Sequence, residues 1–113
     1  MSANRRRGEI EAELDGKSFR LCLTLGALAE LETAYAADDL GALVEKFSRG
    51  KLSATDMIRI VGAGLRGAGN DVADQAVRAM RCDSGAAGFA GIVADLLTVT
   101  FGAAKAGEAA ANP

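Results

Sequence analysis

The pattern closest to a chemical signature is Gly62, Gly64 and Gly67, which match GxGxxG spacing and follow the apolar stretch Ile58–Val61. In a dinucleotide site such glycines turn a strand into a helix and let the backbone approach a pyrophosphate. An acid about twenty residues on, here Asp83, would then hold a ribose. That chemistry needs a strand before the glycines and a second strand ending at the acid. The sequence offers neither. Ser53 and Asp56 resemble a helix capping box, and Met57, Ile58, Val61 and Leu65 continue an apolar stripe at helical spacing. The glycines are therefore expected to allow close approach of a neighbour and then to end the helix.

Other reactive groups are equally ordinary. Glu9, Glu11 and Glu13 alternate along a strand pattern, and Glu30 and Glu32 lie two apart on a helical one, so neither set converges for acid–base work. All five are expected at the solvated surface, the strand acids also discouraging edge pairing. Cys22 and Cys82 are too far apart to form a CxxC pair and read as free, packed thiols in a reducing, cytoplasmic setting, although sequence gives no distance to exclude a disulfide. The chain has no His and no Trp, which removes His-dependent triads and His-containing zinc sites. Without a base beside them, Ser and Thr gain no nucleophilic role. Arg5, Arg6 and Arg7 read as a solvated basic run. No catalytic residue, cofactor or metal site is expected, and the chain reads as a non-enzyme.

These residues must be placed by one domain, since 113 residues leave room for little more. Half the residues are hydrophobic but only 4% are aromatic, so the core should be thin, with helices meeting at alanine and glycine. A net charge of −2 provides no positive field for nucleic acid. No apolar run is expected to approach the roughly 18 residues of a membrane span, and no leader pattern opens the chain. Neither nucleic acid nor membrane is expected as a partner.

The predicted fold is α+β, mainly α: a β-hairpin over 9–23 and then four to five short helices. Asp15-Gly16 is a pair favoured in type I′ turns, and the residues on either side alternate strictly. A two-residue loop pairs Leu14 with Lys17, Ala12 with Phe19 and Ile10 with Leu21, placing apolar residues on one face and Glu11 opposite Arg20 on the other. Helices are expected near 25–36, capped by Thr24, and 39–48, capped by Asp38 or Asp39 and ended by Gly50. Others are expected near 54–66, 72–81 (capped by Asp71) and 86–101. Leu25, Leu28, Leu31 and Tyr35 form the first inward stripe, and Leu40, Leu43, Val44 and Phe47 the second. Phe89, Ile92, Val93, Leu96 and Leu97 supply the last. The domain should span 8–103, between a flexible basic arm at 1–7 and a disordered tail at 104–113.

The run from Arg7 to Glu32, RGEIEAELDGKSFRLCLTLGALAELE, resembles the start of a small protein in the tail gene block of alphaproteobacterial gene transfer agents, phage-like particles that package host DNA. The likeness continues through Leu40–Phe47, the GKLS segment at 50–53, Ala63–Gly67, Ala79–Cys82 and the last apolar helix, covering most of 7–101. The resemblance implies a tail tube or tail assembly protein. Similar small helical proteins act as tail assembly chaperones that bind the tape-measure protein and help recruit tube subunits. Those are the partners it implies, together with self-association, and it carries no catalytic position. A structural component of the tail tube is the alternative, and a small ligand-binding regulatory domain using Gly62–Gly67 is a second. Gly64→Ala is expected to separate the last, sparing a plain helix while destroying a phosphate cradle.

Overall fold

The structure, a computed structural model, describes residues 3–49 and 51–111, with side chains through residue 102 except Gly50. The hairpin forms as the alternation requires. β1 (Glu9–Leu14) and β2 (Lys17–Cys22) are antiparallel, with Leu14 opposite Lys17, Ala12 opposite Phe19, Ile10 opposite Leu21 and Glu11 opposite Arg20. Asp15 and Gly16 both take positive φ, 54° and 74°, as a type I′ turn demands. Ile10, Ala12, Leu14 and Leu21 are buried on one face. On the other, the Glu11 carboxylate accepts the hydroxyl of Ser18, the diagonal neighbour two residues from its register partner Arg20, at 2.8 Å.

An isolated two-stranded ribbon is marginal in water, and helices cover its apolar face. α1 (Leu25–Tyr35) starts at Thr24, whose side chain accepts the Ala27 N–H, and α2 (Leu40–Ser48) starts at Asp39, which accepts that of Ala42. Gly50, expected to close α2, lies outside the described residues. α3 (Ala54–Gly67) opens with a complete capping box: Ser53 Oγ accepts the Asp56 N–H at 3.1 Å, and the Ser53 N–H donates to Asp56 Oδ2 at 2.8 Å. The main core joins Leu14, Leu21, Leu31, Leu43, Ile60, Leu65 and Leu96. Each such side chain contributes roughly 2 kcal/mol of apolar burial.

α3 occupies the middle of this arrangement. Residues from Ile60 to Leu65 are all buried, so neighbours approach it from several sides. Its glycines make the room. A Cβ at Gly64 would lie 2.8 Å from Leu96 Cδ2 and 3.3 Å from Leu21 Cβ. One at Gly67 would collide with the Cys22 carbonyl oxygen of β2, and one at Gly62 with the Asp74 carboxylate. The expectation that Gly64→Ala would leave the helix nearly untouched is therefore corrected: it intrudes on the hairpin and on the last helix, and does not isolate a phosphate role.

Polar contacts fix the connections. Arg66 reaches Glu30 of α1 at 2.6 Å, Asp74 at 2.9 Å and the Val72 carbonyl at 2.8 Å. Asn70 donates to the Arg20 carbonyl at 2.8 Å. The hairpin turn is clasped reciprocally: Asp15 N–H donates to the Arg81 carbonyl and Arg81 N–H to Asp15 Oδ1, each at 2.8 Å.

Several sequence expectations are corrected. The helix expected over 72–81 is the single turn α4 (Asp74–Val77), capped by Ala73 without a side-chain bond. Asp71 does not cap it, because Asn70 and Val72 are taken up in the turn that ties α3 to Arg20 and Arg66. Arg5–Arg7, expected as a loose arm, form a 3-10 turn capped by the Asn4 side chain, and Arg5 grips Asp95 through two bonds at 2.6 and 3.0 Å. Leu25 and Leu40 leave their predicted inward stripes and are exposed. The last helix, α5 (Gly85–Ala111), breaks at Gly102, where φ is 83° and ψ 162°. The disordered tail expected at 104–113 falls on side chains outside the described ones, and on Asn112 and Pro113, which lie outside altogether. Within α5, Gly85–Gly102 has a mean hydropathy of 1.5, making it long and apolar enough to cross a membrane by length and composition alone. Alanine and glycine spread among Leu, Val and Phe hide that run from inspection.

The glycine contacts give a paired test. Gly67→Ala is expected to cost about 2–3 kcal/mol through overpacking against rigid backbone. Gly91→Ala, with nothing within 4 Å of its Cβ, should gain about 0.5–1 kcal/mol of helix propensity. Urea midpoints of the two variants, compared with wild type, measure both.

Candidate partner-binding surface

The sequence candidates for chemistry are dispersed. Ile58–Val61 are helical, and the space beside Gly62, Gly64 and Gly67 is filled by Asp74, by Leu96 with Leu21, and by the Cys22 carbonyl. No cradle for a phosphate exists there. Asp83 sits in a turn before α5, where its carbonyl lies against Gly88. Glu9 accepts the Asn4 N–H and lies 3.6 Å from Arg7, Glu11 takes Ser18, and Glu13 is exposed. Glu30 is committed to Arg66, while Glu32 is half-buried. Cys22 and Cys82 are free thiols. Burial raises both above the ordinary thiol value, assisted by Glu9 and Asp83 respectively, which opposes thiolate chemistry. Among the described residues, no three His, Cys, Asp or Glu side chains converge on a point that could hold a metal.

One polar cluster had no sequence signal. Tyr35, at the end of α1, donates its hydroxyl to the Asp56 carboxylate, the buried acid of the α3 capping box. Its ring meets Phe47 edge-on at 5.4 Å and has Lys46 Nζ and Arg59 Cζ at 4.9 and 5.1 Å from its centroid. Burial, then the bond to Asp56, pushes the phenol up to about 12. Burial works to raise the Asp56 carboxyl, but hydrogen bonds from Tyr35 and Ser53 outweigh it and hold the group below its ordinary value. The cluster joins α1, α2 and α3, and none of its residues lines the clefts described below. Its work is structural.

The surface with capacity to bind is apolar. Among its described side chains α5 buries only Val93 and Leu96 fully, while Phe89, Ile92, Leu97, Val99 and Phe101 are half-buried and Ala86, Ala87, Ala90, Gly91 and Ala94 are exposed. Only 11% of the Gly85–Gly102 window is buried, and Asp95, its one charge, is held by Arg5. An apolar cleft of about 190 Å³ opens between α3, α4 and the start of α5, lined by Met57, Ile58, Val77, Met80 and Phe89. Methionines give such a wall an adaptable shape. A second cleft, of about 400 Å³, lies at the opposite end of α5 beside Leu25 and Leu40. An exposed apolar area of this kind suits contact with polypeptide rather than turnover of a small molecule.

The fold is a small hairpin-and-helix domain whose last helix leaves an apolar side exposed to contact. The chain belongs to the phage tail tube protein family GTA-gp10, whose profile matches residues 7–103. It is thus a component of a phage-like tail system of the gene transfer agent type. No curated protein matches the chain. No solved structure matches it either.

The Tyr35–Asp56 bond makes stability depend on pH at both extremes. Folding lowers the Asp56 pKa, so its stabilisation is complete above the ordinary value of 3.8 and is lost as pH falls through the lowered one. Folding raises the Tyr35 pKa, so its contribution is complete below 10.0 and is lost as pH rises towards about 12. Tyr35→Phe should cost about 1 kcal/mol at neutral pH. It should also flatten the decline in thermal midpoint between pH 10 and 12, read by circular dichroism.

Proposed function

We propose that the protein is a non-enzymatic tail assembly chaperone, acting in the cytoplasm before the particle is complete. In this reading it binds the long helices of the tape-measure protein, keeps their apolar faces from water and helps recruit tail tube subunits. The observation that carries the proposal is α5, which is apolar over Gly85–Gly102 and covered by its own domain on one side only. A helix-binding groove needs such a surface, and amphipathic partner helices supply the matching face. The same surface would support self-association.

The family description favours a second reading, in which the protein stays in the finished particle as part of the tail tube. Here the α5 face would pack against neighbouring subunits. A ligand-binding regulatory role for Gly62–Gly67 has no comparable support, because those glycines are covered.

Co-expression with the tape-measure protein tests the chaperone directly. Affinity-tagged wild type should enrich the tape-measure protein over a tag-only control, and no enrichment removes the reading. Quantitative mass spectrometry of purified particles separates the alternatives. The chaperone should be absent or far below ring stoichiometry, whereas a tube component should be present at tube-subunit abundance.

A further inference from the structure

We infer that the cleft beside Leu25 and Leu40 seats an acidic amphipathic helix of a partner protein. The inference rests on the protein-binding reading and names one surface and the chemistry that fits it. Leu25 and Leu40 are 78% and 38% exposed, the exposed large hydrophobic residues among those described, and both line this one cleft. They come from different helices, so a single apolar surface exposes both. Leu23 and Leu28 form its buried floor, with half-buried Val99 and Phe101 alongside.

Local structure does not require leucine at either position. Each is the first residue of its helix, directly after a side-chain cap. That position faces no helical neighbour it must cover, and the helix dipole favours an acid there. Neither α1 nor α2 carries an acid in its first turn. Leu25 therefore gains little from folding, and Leu40 keeps more than a third of its surface in water.

The charge around the cleft selects the partner. Arg6 and Arg7 form one lip, exposed and part of the 3-10 turn that Arg5 anchors to α5. Glu9 lies 3.6 Å from Arg7, a loose pairing, and Arg6 makes no ion pair among the described residues. α1 begins at a neutral cap, Thr24. Asp38 and Asp39 precede Leu40 but do not line the cleft, and the Asp39 carboxylate is turned to the start of α2, where it accepts the Ala42 N–H. A cleft with a leucine floor and a cationic lip is complementary to a helix carrying leucine-like anchors and flanking carboxylates. Arg6 and Arg7 are the charged residues that line the cleft, and on a chain of net charge −2 they also set the orientation of docking.

Two synthetic helical peptides of equal length test this with the full-length protein. Both carry leucine at i, i+3, i+4 and i+7; one is flanked by glutamate and the other by lysine. Fluorescence anisotropy should show the acidic peptide binding about tenfold tighter or more, and methyl NMR should place it at Leu25, Leu40 and Val99. Leu25→Ser with Leu40→Ser should weaken binding about tenfold or more while the far-UV circular dichroism spectrum stays that of the wild type. Arg6→Glu with Arg7→Glu should reverse the charge preference. Absent binding, equal binding of the two peptides, or shifts at Met57, Met80 and Phe89 instead would overturn the inference. So would a wild-type dimer abolished by the leucine substitutions, which would make a second copy the occupant. Contacts from residues 103–113 to the leucine methyls would equally assign the cleft to the chain's own C-terminal segment. Tape-measure co-purification is read separately, so its failure removes the chaperone reading while the peptide result still decides the cleft.

Discussion

The contact on which the architecture depends is the approach of α3 to β2, where Gly67 lies against the Cys22 carbonyl and Gly64 against Leu21. A methyl group at Gly67 has nowhere to go, because the opposing atom belongs to backbone. Once α3 rests that close, Leu21, Leu65 and Leu96 meet in one layer and the hairpin face is sealed. Glycine in a helix interior normally costs about 1 kcal/mol against alanine. Here that cost is offset by burial that a bulkier helix could not achieve.

Polar contacts are arranged to serve the same approach. Room above Gly62 is taken by the Asp74 carboxylate, which pairs with Arg66, and Arg66 also holds Glu30. These ion pairs are partly solvent-exposed and individually weak. Their effect is on position: α1 and α4 are brought to α3 at one geometry. The Tyr35–Asp56 bond does the same at the other end of α3, joining the end of α1 to the first turn of α3. With both ends committed, α3 keeps only the Met57 and Ile58 side of its first turns for contact, and the binding capacity moves outward to the two clefts along α5.

Much of this was legible in the residues. Strict alternation around Asp15-Gly16 fixed strand register because a slip of one residue would turn Ile10, Ala12 and Leu14 to water. Thr24, Asp39 and the Ser53/Asp56 box marked helix starts through hydrogen bonds that are local in sequence. What failed was non-local. Leu25 and Leu40 fit apolar stripes, and periodicity cannot tell an inward leucine from one on a cleft rim. Asp71 was a reasonable cap, but Asn70 and Arg66 draw that turn elsewhere. Burial of Ile60 and the Tyr35–Asp56 bond depend on which elements surround α3, which no spacing records. The apolar length of α5 was visible in composition yet disguised by its many small residues. The tail-system identity came from the order of segments over most of the chain, whereas the binding surface emerged only from exposure.

The clasp between Asp15 and Arg81 spans 66 positions of chain. A ribosome releases the hairpin first, well before the segment that locks its turn has been made. The ribbon's apolar face is covered in stages, first by α3 and last by α5. Throughout that interval the nascent chain carries an open greasy strand pair, shielded at its margins by Glu9, Glu11 and Glu13. Closure waits for the final third of synthesis, so a stop or deletion after α3 would leave the hairpin without its clasp.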